Sequence, residues 1–252
     1  MLAYFQKGFN YGQDGPGNRL VIHMQGCNMS CPWCANPEGL LLTDKQANVG
    51  KRNSQTVSTE KLVEEIISCQ SLFFDGGGVT FTGGEATLQF EALKDVLEAL
   101  KMRGIHTAIE TNGTHPRLEE LFPLVDLLIV DCKHVESVIH EKVTGISNKN
   151  ILDNIKKAAI THPNVLVRIP LINGFNASAD DLKKFLEFTK EIKELQTKEN
   201  VEFEFLPYHE YGKVKWEEHN QPYKVENGFV SKETLLAFQQ AFRENGITLI
   251  HT

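Results

Sequence analysis

Strand-length apolar runs alternate with helix-period segments along this chain, and that alternation constrains its fold more than any other feature. The strand candidates are Leu20–Gln25, Val79–Thr82, Thr107–Thr111, Leu127–Lys133, Val165–Ile172 and Val201–Pro207. Amphipathic segments lie between and after them, at Thr59–Ser71, Phe90–Arg103, Leu118–Leu121, Asn150–Thr161, Ala179–Thr197 and Lys232–Asn245. Ser58, Ser178 and Ser231 stand where N-caps belong, and Gly104 and Gly246 where helices should stop. Ser178 with Asp181 resembles a capping box, with Asp in place of Glu. Repeated β–α alternation means parallel strands joined by right-handed crossovers, so the expected fold is α/β, either an open doubly wound sheet or a curved barrel. In both, chemistry gathers at the C-terminal ends of the strands. A length of 252 residues suits one large α/β domain over 1–252, with the polar stretch 42–55 read as an exposed loop.

Composition narrows the class of function. Apolar residues make up 41% and charged ones 23%, as in an ordinary soluble protein. A formal charge of -7 without a basic run argues against binding nucleic acid through phosphate contacts. No stretch approaches the ~18–20 apolar residues of a membrane span. The N-terminal residues show no charged-then-apolar leader pattern. Five cysteines, an odd number with Cys69 and Cys132 far from the rest, fit a reducing compartment better than a disulfide framework. The expectation is a cytoplasmic protein.

Polar residues cluster where the strands end. Thr82-Gly83-Gly84-Glu85, Glu110-Thr111-Asn112-Gly113 and Asp131-Cys132-Lys133 follow or close three successive strands. Arg168 lies in the fifth strand, and Pro207-Tyr208-His209-Glu210 follows the sixth. Each has an ordinary meaning alone: Gly83-Gly84 a turn, Asp131 and Lys133 an ion pair, Arg168 a helix cap, His209 a partly buried imidazole. Delivered by successive strands to one end of a sheet, they predict a single polar mouth.

The run Cys27-Asn28-Met29-Ser30-Cys31-Pro32-Trp33-Cys34 follows the first strand and puts three soft thiolates on one loop. Three is one short of the four that close a structural zinc site or a fully ligated iron–sulfur cluster. A [4Fe–4S] cluster on three cysteines keeps one iron free. Other readings stand beside it: zinc with His23 as fourth ligand, a redox dithiol at Cys31-Pro32-Trp33-Cys34, or chance. A non-catalytic iron–sulfur or zinc-binding or electron-transfer module belongs with these.

Cys-x3-Cys-x2-Cys followed by Gly83-Gly84-Glu85 resembles the radical S-adenosylmethionine (SAM) superfamily. With Asp14-Gly15-Pro16-Gly17-Asn18-Arg19, Glu110-Thr111-Asn112-Gly113, Asp131-Cys132-Lys133 and Leu206–Lys213 in matching order, the chain is similar to the glycyl-radical-enzyme activating enzymes of the pyruvate formate-lyase branch. The resemblance implies a partial (β/α)6 barrel with parallel strands and outer helices. It implies a [4Fe–4S] cluster on Cys27, Cys31 and Cys34, with SAM on the fourth iron. Residues implied to bind SAM are Trp33, Cys34, Ala35, Gly83, Gly84, Glu85, Asp131, Cys132, Lys133, Arg168 and His209, Ala35 standing where near relatives carry His. A sodium or potassium ion is implied beside the SAM carboxylate, on Glu110 and Thr111 where the family carries an Asp-Thr pair. The implied activity is reductive cleavage of SAM to a 5′-deoxyadenosyl radical that takes a hydrogen from a glycine of a partner glycyl radical enzyme, pyruvate formate-lyase or another. Asp14, Gly15, Arg19 and Tyr208 are the implied contacts of that partner's loop. A flavodoxin or ferredoxin reductant and a monomeric state are family defaults, and the short segment after Cys34 implies no ferredoxin-like insertion.

Overall fold

Six parallel strands, the six expected from the sequence, form the centre of the sheet in the computed structural model, which describes residues 1–40, 54–196 and 198–251. They are β2 (Asn18–Met24), β4 (Val79–Gly83), β5 (Thr107–Thr111), β6 (Leu127–Asp131), β7 (Val165–Leu171) and β8 (Val201–Pro207). β1 (Leu2–Tyr11) and β3 (Gln55–Val57) add antiparallel strands outside β2, giving the order β3-β1-β2-β4-β5-β6-β7-β8. The order is linear and the sheet does not close on itself. The loop read at 42–55 lies outside the described residues up to position 53, and its last residue opens β3.

The helices are α1 (Thr59–Ser68), α2 (Phe90–Lys101), α3 (Ser137–Thr144), α4 (Lys149–Thr161), α5 (Ala179–Leu195), α6 (Lys213–Glu218) and α7 (Lys232–Glu244). Ser58 and Ser231 accept from the backbone N–H groups of Lys61 and Thr234, and Ser178 with Asp181 forms the full reciprocal capping box. The expected helix at Leu118–Leu121 is instead a 3-10 segment over Leu118–Leu124, with Pro123 inside it. A prolyl ring has no N–H to donate and crowds the preceding turn, so an α-helix cannot form there.

β1 escapes periodicity because its first half is buried, its second half is exposed, and its register slips between Tyr4 and Gln6. β3 has three residues, too few to carry a pattern. α3, rich in β-branched residues and without a side-chain cap, and the six-residue α6 were equally silent in the sequence.

Two faces of the sheet divide the labour. Against the outer one, Leu93, Val96, Leu97 and Leu100 of α2 pack with Phe81 and Ile109 at no exposure. Edge-on aromatic contacts, with Phe205 and Phe242 centroids 4.7 Å apart, seat α7 on β8. The inner face carries a buried polar chain. Arg168 Nε donates to Glu204 at 2.9 Å and Nη1 to Glu110 at 2.5 Å, while Thr82 Oγ1 donates to Glu110 at 2.7 Å. That chain crosses the sheet beneath the strand ends and fixes the floor of the cleft described next.

Candidate active site

The cysteine loop leaves the C-terminal end of β2 and is tied down on three sides. Gly26 N–H donates to Gly39 O at 2.8 Å, and Glu85 N–H donates to Gly26 O at 2.6 Å. Asn28 joins the loop after β5: it donates to Thr114 Oγ1 and accepts from Asn112 Nδ2, each at 2.8 Å. Ser30 N–H reaches the carbonyl of Thr144 at the end of α3, at 2.9 Å. Gly83 and Gly84 are required here by contact. Gly83 has φ 109°, and a Cβ on Gly84 would stand 2.1 Å from Gly26 O. The Gly-Gly pair therefore lets the end of β4 press against the root of the cysteine loop.

Cys27, Cys31 and Cys34 then face one open cleft. Its wall includes Trp33, Ala35, Gly83, Gly84, Glu110, Thr111, Asp131, Lys133 and His209, all expected from the sequence. Lys133 Nζ donates to Asp131 Oδ2 at 2.5 Å. Burial alone would lower the Lys133 pKa, but Asp131 and the neighbouring Cys31 raise it above the usual lysine range, so the cleft carries a fixed positive charge. Burial pushes each thiol of the trio up to about 12. All three are free, and Cys27 Sγ already accepts from Met29 N–H at 3.4 Å. Trp33 packs on Phe175 with ring centroids 4.7 Å apart, giving the cleft an apolar wall.

The chemistry of this donor set fits an iron–sulfur cluster. Protonated thiols buried near a cation become thiolates only when a metal core displaces the protons. Sulfur ligands of one zinc stand about 4 Å apart, as tetrahedral bonds of ~2.3 Å require. Among the described residues no three His, Cys, Asp or Glu side chains converge on a single-ion site. His23, the candidate fourth zinc ligand, packs against Phe5 and is not in the cleft wall. A cubane, by contrast, spreads its cysteines over separate irons.

Several expected site residues do not reach the cleft. Glu85 is fully buried and its carboxylate accepts from Thr87, from Thr111 Oγ1 at 2.6 Å and from Asn112 N–H at 2.6 Å, so it caps a turn and does not line the cleft. Cys132 is 1% exposed and points away, as strand alternation between Asp131 and Lys133 demands. Arg168 lies under the floor, holding Glu110. Tyr208 is buried, with its hydroxyl 2.7 Å from that of Tyr223. Arg19 has no exposure: its guanidinium donates to Thr80 at 2.6 Å and to Pro16 O at 2.6 Å. Asp14 accepts from Asn10, and buried Gly15 packs over the Arg19 guanidinium; neither lines the cleft.

The Glu110–Thr111 pair does not fit a monovalent cation as arranged. Both Glu110 oxygens are taken, by Arg168 and Thr82, and Thr111 Oγ1 is turned to Glu85. Glutamate, one methylene longer than aspartate, reaches the guanidinium, whose pull overcomes burial and holds its pKa below the usual range. The sequence did not single out Met29, Asn36, Pro170 and Leu206 in the wall. Met29 lies inside the cysteine run, Asn36 adjoins it and Leu206 opens the segment Leu206–Lys213, whereas Pro170 carries no such signal.

Comparison with known proteins agrees with this geometry. Residues 21–189 match the family model of the radical SAM superfamily. The pyruvate formate-lyase 1-activating enzyme of Escherichia coli (strain K12) is 34% identical over 219 residues, covering 84% of this chain and 83% of that one. The pyruvate formate-lyase-activating enzyme of Streptococcus mutans is 35% identical over 221 residues, covering 84% and 80%. A crystal structure of a domain of the Bacteroides vulgatus pyruvate-formate lyase-activating enzyme superposes with TM-score 0.56 at 30% identity, covering 69% of this chain and 98% of that one. A radical SAM methyltransferase from Sphaerobacter thermophilus, at 15% identity, shares the fold alone, with TM-score 0.65 over 96% of this chain and 67% of that one. Radical SAM enzymes use a [4Fe–4S] cluster and SAM, and the chain belongs to that superfamily, within the family of pyruvate formate-lyase-activating enzymes.

Proposed function

We propose that this chain activates pyruvate formate-lyase by installing a radical on a glycine of that enzyme. The observation that carries the reading is the placement of three free thiols and the Lys133 ammonium in one cleft. When bound, the cluster and SAM would supply a one-electron cleavage of the sulfonium and a 5′-deoxyadenosyl radical able to take the glycine hydrogen. The polypeptide's part is to bind and orient. Cys27, Cys31 and Cys34 would each hold one iron. Lys133, kept cationic by Asp131, suits the SAM carboxylate. Backbone groups of Gly83 and Gly84 suit its amino group, Asp131 and His209 the ribose, and the Trp33 wall with Ala35 the adenine. Glu85 and Arg168 act at one remove, by fixing Thr111, Asn112 and Glu110.

No alkali ion enters this reading, because Arg168 and Thr82 already engage both oxygens of Glu110. The partner's loop would meet the segment after β8, where Tyr211, 81% exposed and stacked on His209 at 4.2 Å, takes the contact role the sequence assigned to Tyr208. We further propose a single-domain cytoplasmic monomer reduced by a flavodoxin or ferredoxin. No helix among the described residues is long and apolar enough to cross a membrane.

The test is anaerobic reconstitution with iron and sulfide, reduction with SAM present, and addition of pyruvate formate-lyase. Release of 5′-deoxyadenosine together with a stable glycyl signal in electron paramagnetic resonance is the expected result. A reconstituted, reduced cluster that releases no 5′-deoxyadenosine would leave only an electron-transfer module. Cleavage without a glycyl signal would move the assignment to a different glycyl radical enzyme.

A further inference from the structure

We propose that α6 latches the second half of the cysteine loop, and that the Trp216 indole is the positioning group that holds Cys34. The first half of the loop has its own anchors, Asn28 on Asn112 and Ser30 on Thr144. Past Cys31, Trp33 packs on Phe175 and the far end is held by Gly26 N–H on Gly39 O and Gln25 Nε2 on Glu38 O, while the ties to Cys34–Asn36 come from α6. Trp216 Nε1 donates to the carbonyl oxygen of Cys34 at 2.8 Å. One residue earlier, Lys215 Nζ donates to Asn36 Oδ1 at 3.2 Å and pairs with Glu38 at 2.7 Å. Gly212, at the start of the helix, lies so close to the loop that a Cβ there would stand 2.4 Å from Cys34 O and 2.8 Å from Ala35 Cα.

A helix of six residues gains little from its own hydrogen bonds and keeps its shape through such contacts. The dependence is mutual: the loop orders α6, and α6 fixes the carbonyl next to the third thiol. The same segment also reaches the cleft wall through His209, and a Tyr208–Tyr223 hydroxyl contact of 2.7 Å braces it from behind. Lost outer contacts to a metal ligand cost roughly 10–100-fold in metal affinity, because the ligand no longer waits in the bound geometry. Trp216 therefore works on Cys34 as a positioning residue and touches neither substrate nor cleft. In its iron-binding consequence, this inference rests on the reading that the three cysteines hold the cluster.

The test compares wild type with Trp216→Phe, which keeps a ring and removes the N–H, and with Lys215→Met as an independent cut of the same latch. In metal-free protein, alkylation of each cysteine by iodoacetamide is followed by mass spectrometry. The expected result is a rise of ~10-fold in the Cys34 rate, with Cys27 and Cys31 unchanged. In reconstituted protein, iron loss to a chelator should quicken by a similar factor. General loosening of the fold would raise all three alkylation rates together, and that outcome, or no change in either variant, overturns the latch. Selective exposure of Cys34 in a protein that takes up no iron would uphold the latch while removing the cluster reading.

Discussion

Lys133 and Arg19 are both cations buried among the same parallel strands, and their surroundings could hardly differ more. Arg19 stands at the N-terminal end of β2 and donates to Thr80, Pro16 O and Val79 O, with His106 Nδ1 at 3.3 Å. Lys133 follows the C-terminal end of β6, has Asp131 as its hydrogen-bond partner, and faces an open cleft. In the first, the sequence motif Asp14–Arg19 is consumed by the fold: it closes the turn between β1 and β2. In the second, charge is left facing space that a ligand can fill. Residue type does not separate the two cases, whereas position along a parallel strand does.

Removing the cation that joins these regions should have the largest effect. Arg168→Met strands Glu110 and Glu204 without their guanidinium, and buried ion pairs broken on one side cost about 3–5 kcal/mol. Urea unfolding should show that loss; an unchanged midpoint would mean the inner chain is not structural. Arg19→Met should cost about 2–3 kcal/mol by removing the buried donor that serves two carbonyls and Thr80 Oγ1, which keeps its own bond to Asp14 O. SAM affinity of the folded fraction should not change, and a selective loss of partner binding at unaltered stability would turn the Asp14–Arg19 turn back into a site.

Lys133→Met sharpens the contrast from the other end. It should weaken SAM binding by roughly 30-fold, about 2 kcal/mol, while stability without ligand moves little because Asp131 keeps access to water. Exchanging sodium, potassium and a bulky organic cation should leave SAM affinity the same, since Arg168 occupies Glu110; a clear potassium preference would contradict that assignment.

The smallest effect is a pH dependence. Burial first, then the charge of Glu110, raises the Asp14 pKa from 3.8 to about 6. A carboxyl raised on folding binds its proton more tightly in the native state. Its contribution is therefore full below the unfolded value and is lost as pH rises through the folded one. Glu110, lowered on folding, works oppositely and loses its contribution as pH falls. Asp14→Asn should thus gain stability over wild type as pH rises from 3.8 to about 6, measured by urea unfolding, and a flat difference would remove the Asp14 shift.

The parallel strands were legible because each is a short apolar run bounded by polar turns, and β5 and β8 fall on their expected limits. β1 was not, since half of it faces solvent and its register slips. The cleft was legible where chemistry and strand end coincide, at Cys27–Cys34, Asp131 and Lys133. A motif names a residue but not its direction, and three expected residues lie outside the cleft wall. Cys132 alternates away from its neighbours, Glu85 bends back to cap its own turn, and Tyr208 turns inward to Tyr223. Trp216 was invisible, because its hydrogen bond to Cys34 spans 182 positions of sequence.

Electron paramagnetic resonance of the reconstituted, reduced protein before and after SAM is added, in wild type and Cys31→Ala, addresses the cleft most directly. A wild-type iron–sulfur signal that changes shape on SAM addition, and its disappearance in Cys31→Ala, is the result expected of three cysteines leaving one iron open to ligand. A signal indifferent to SAM, or one that survives the loss of Cys31, would contradict it.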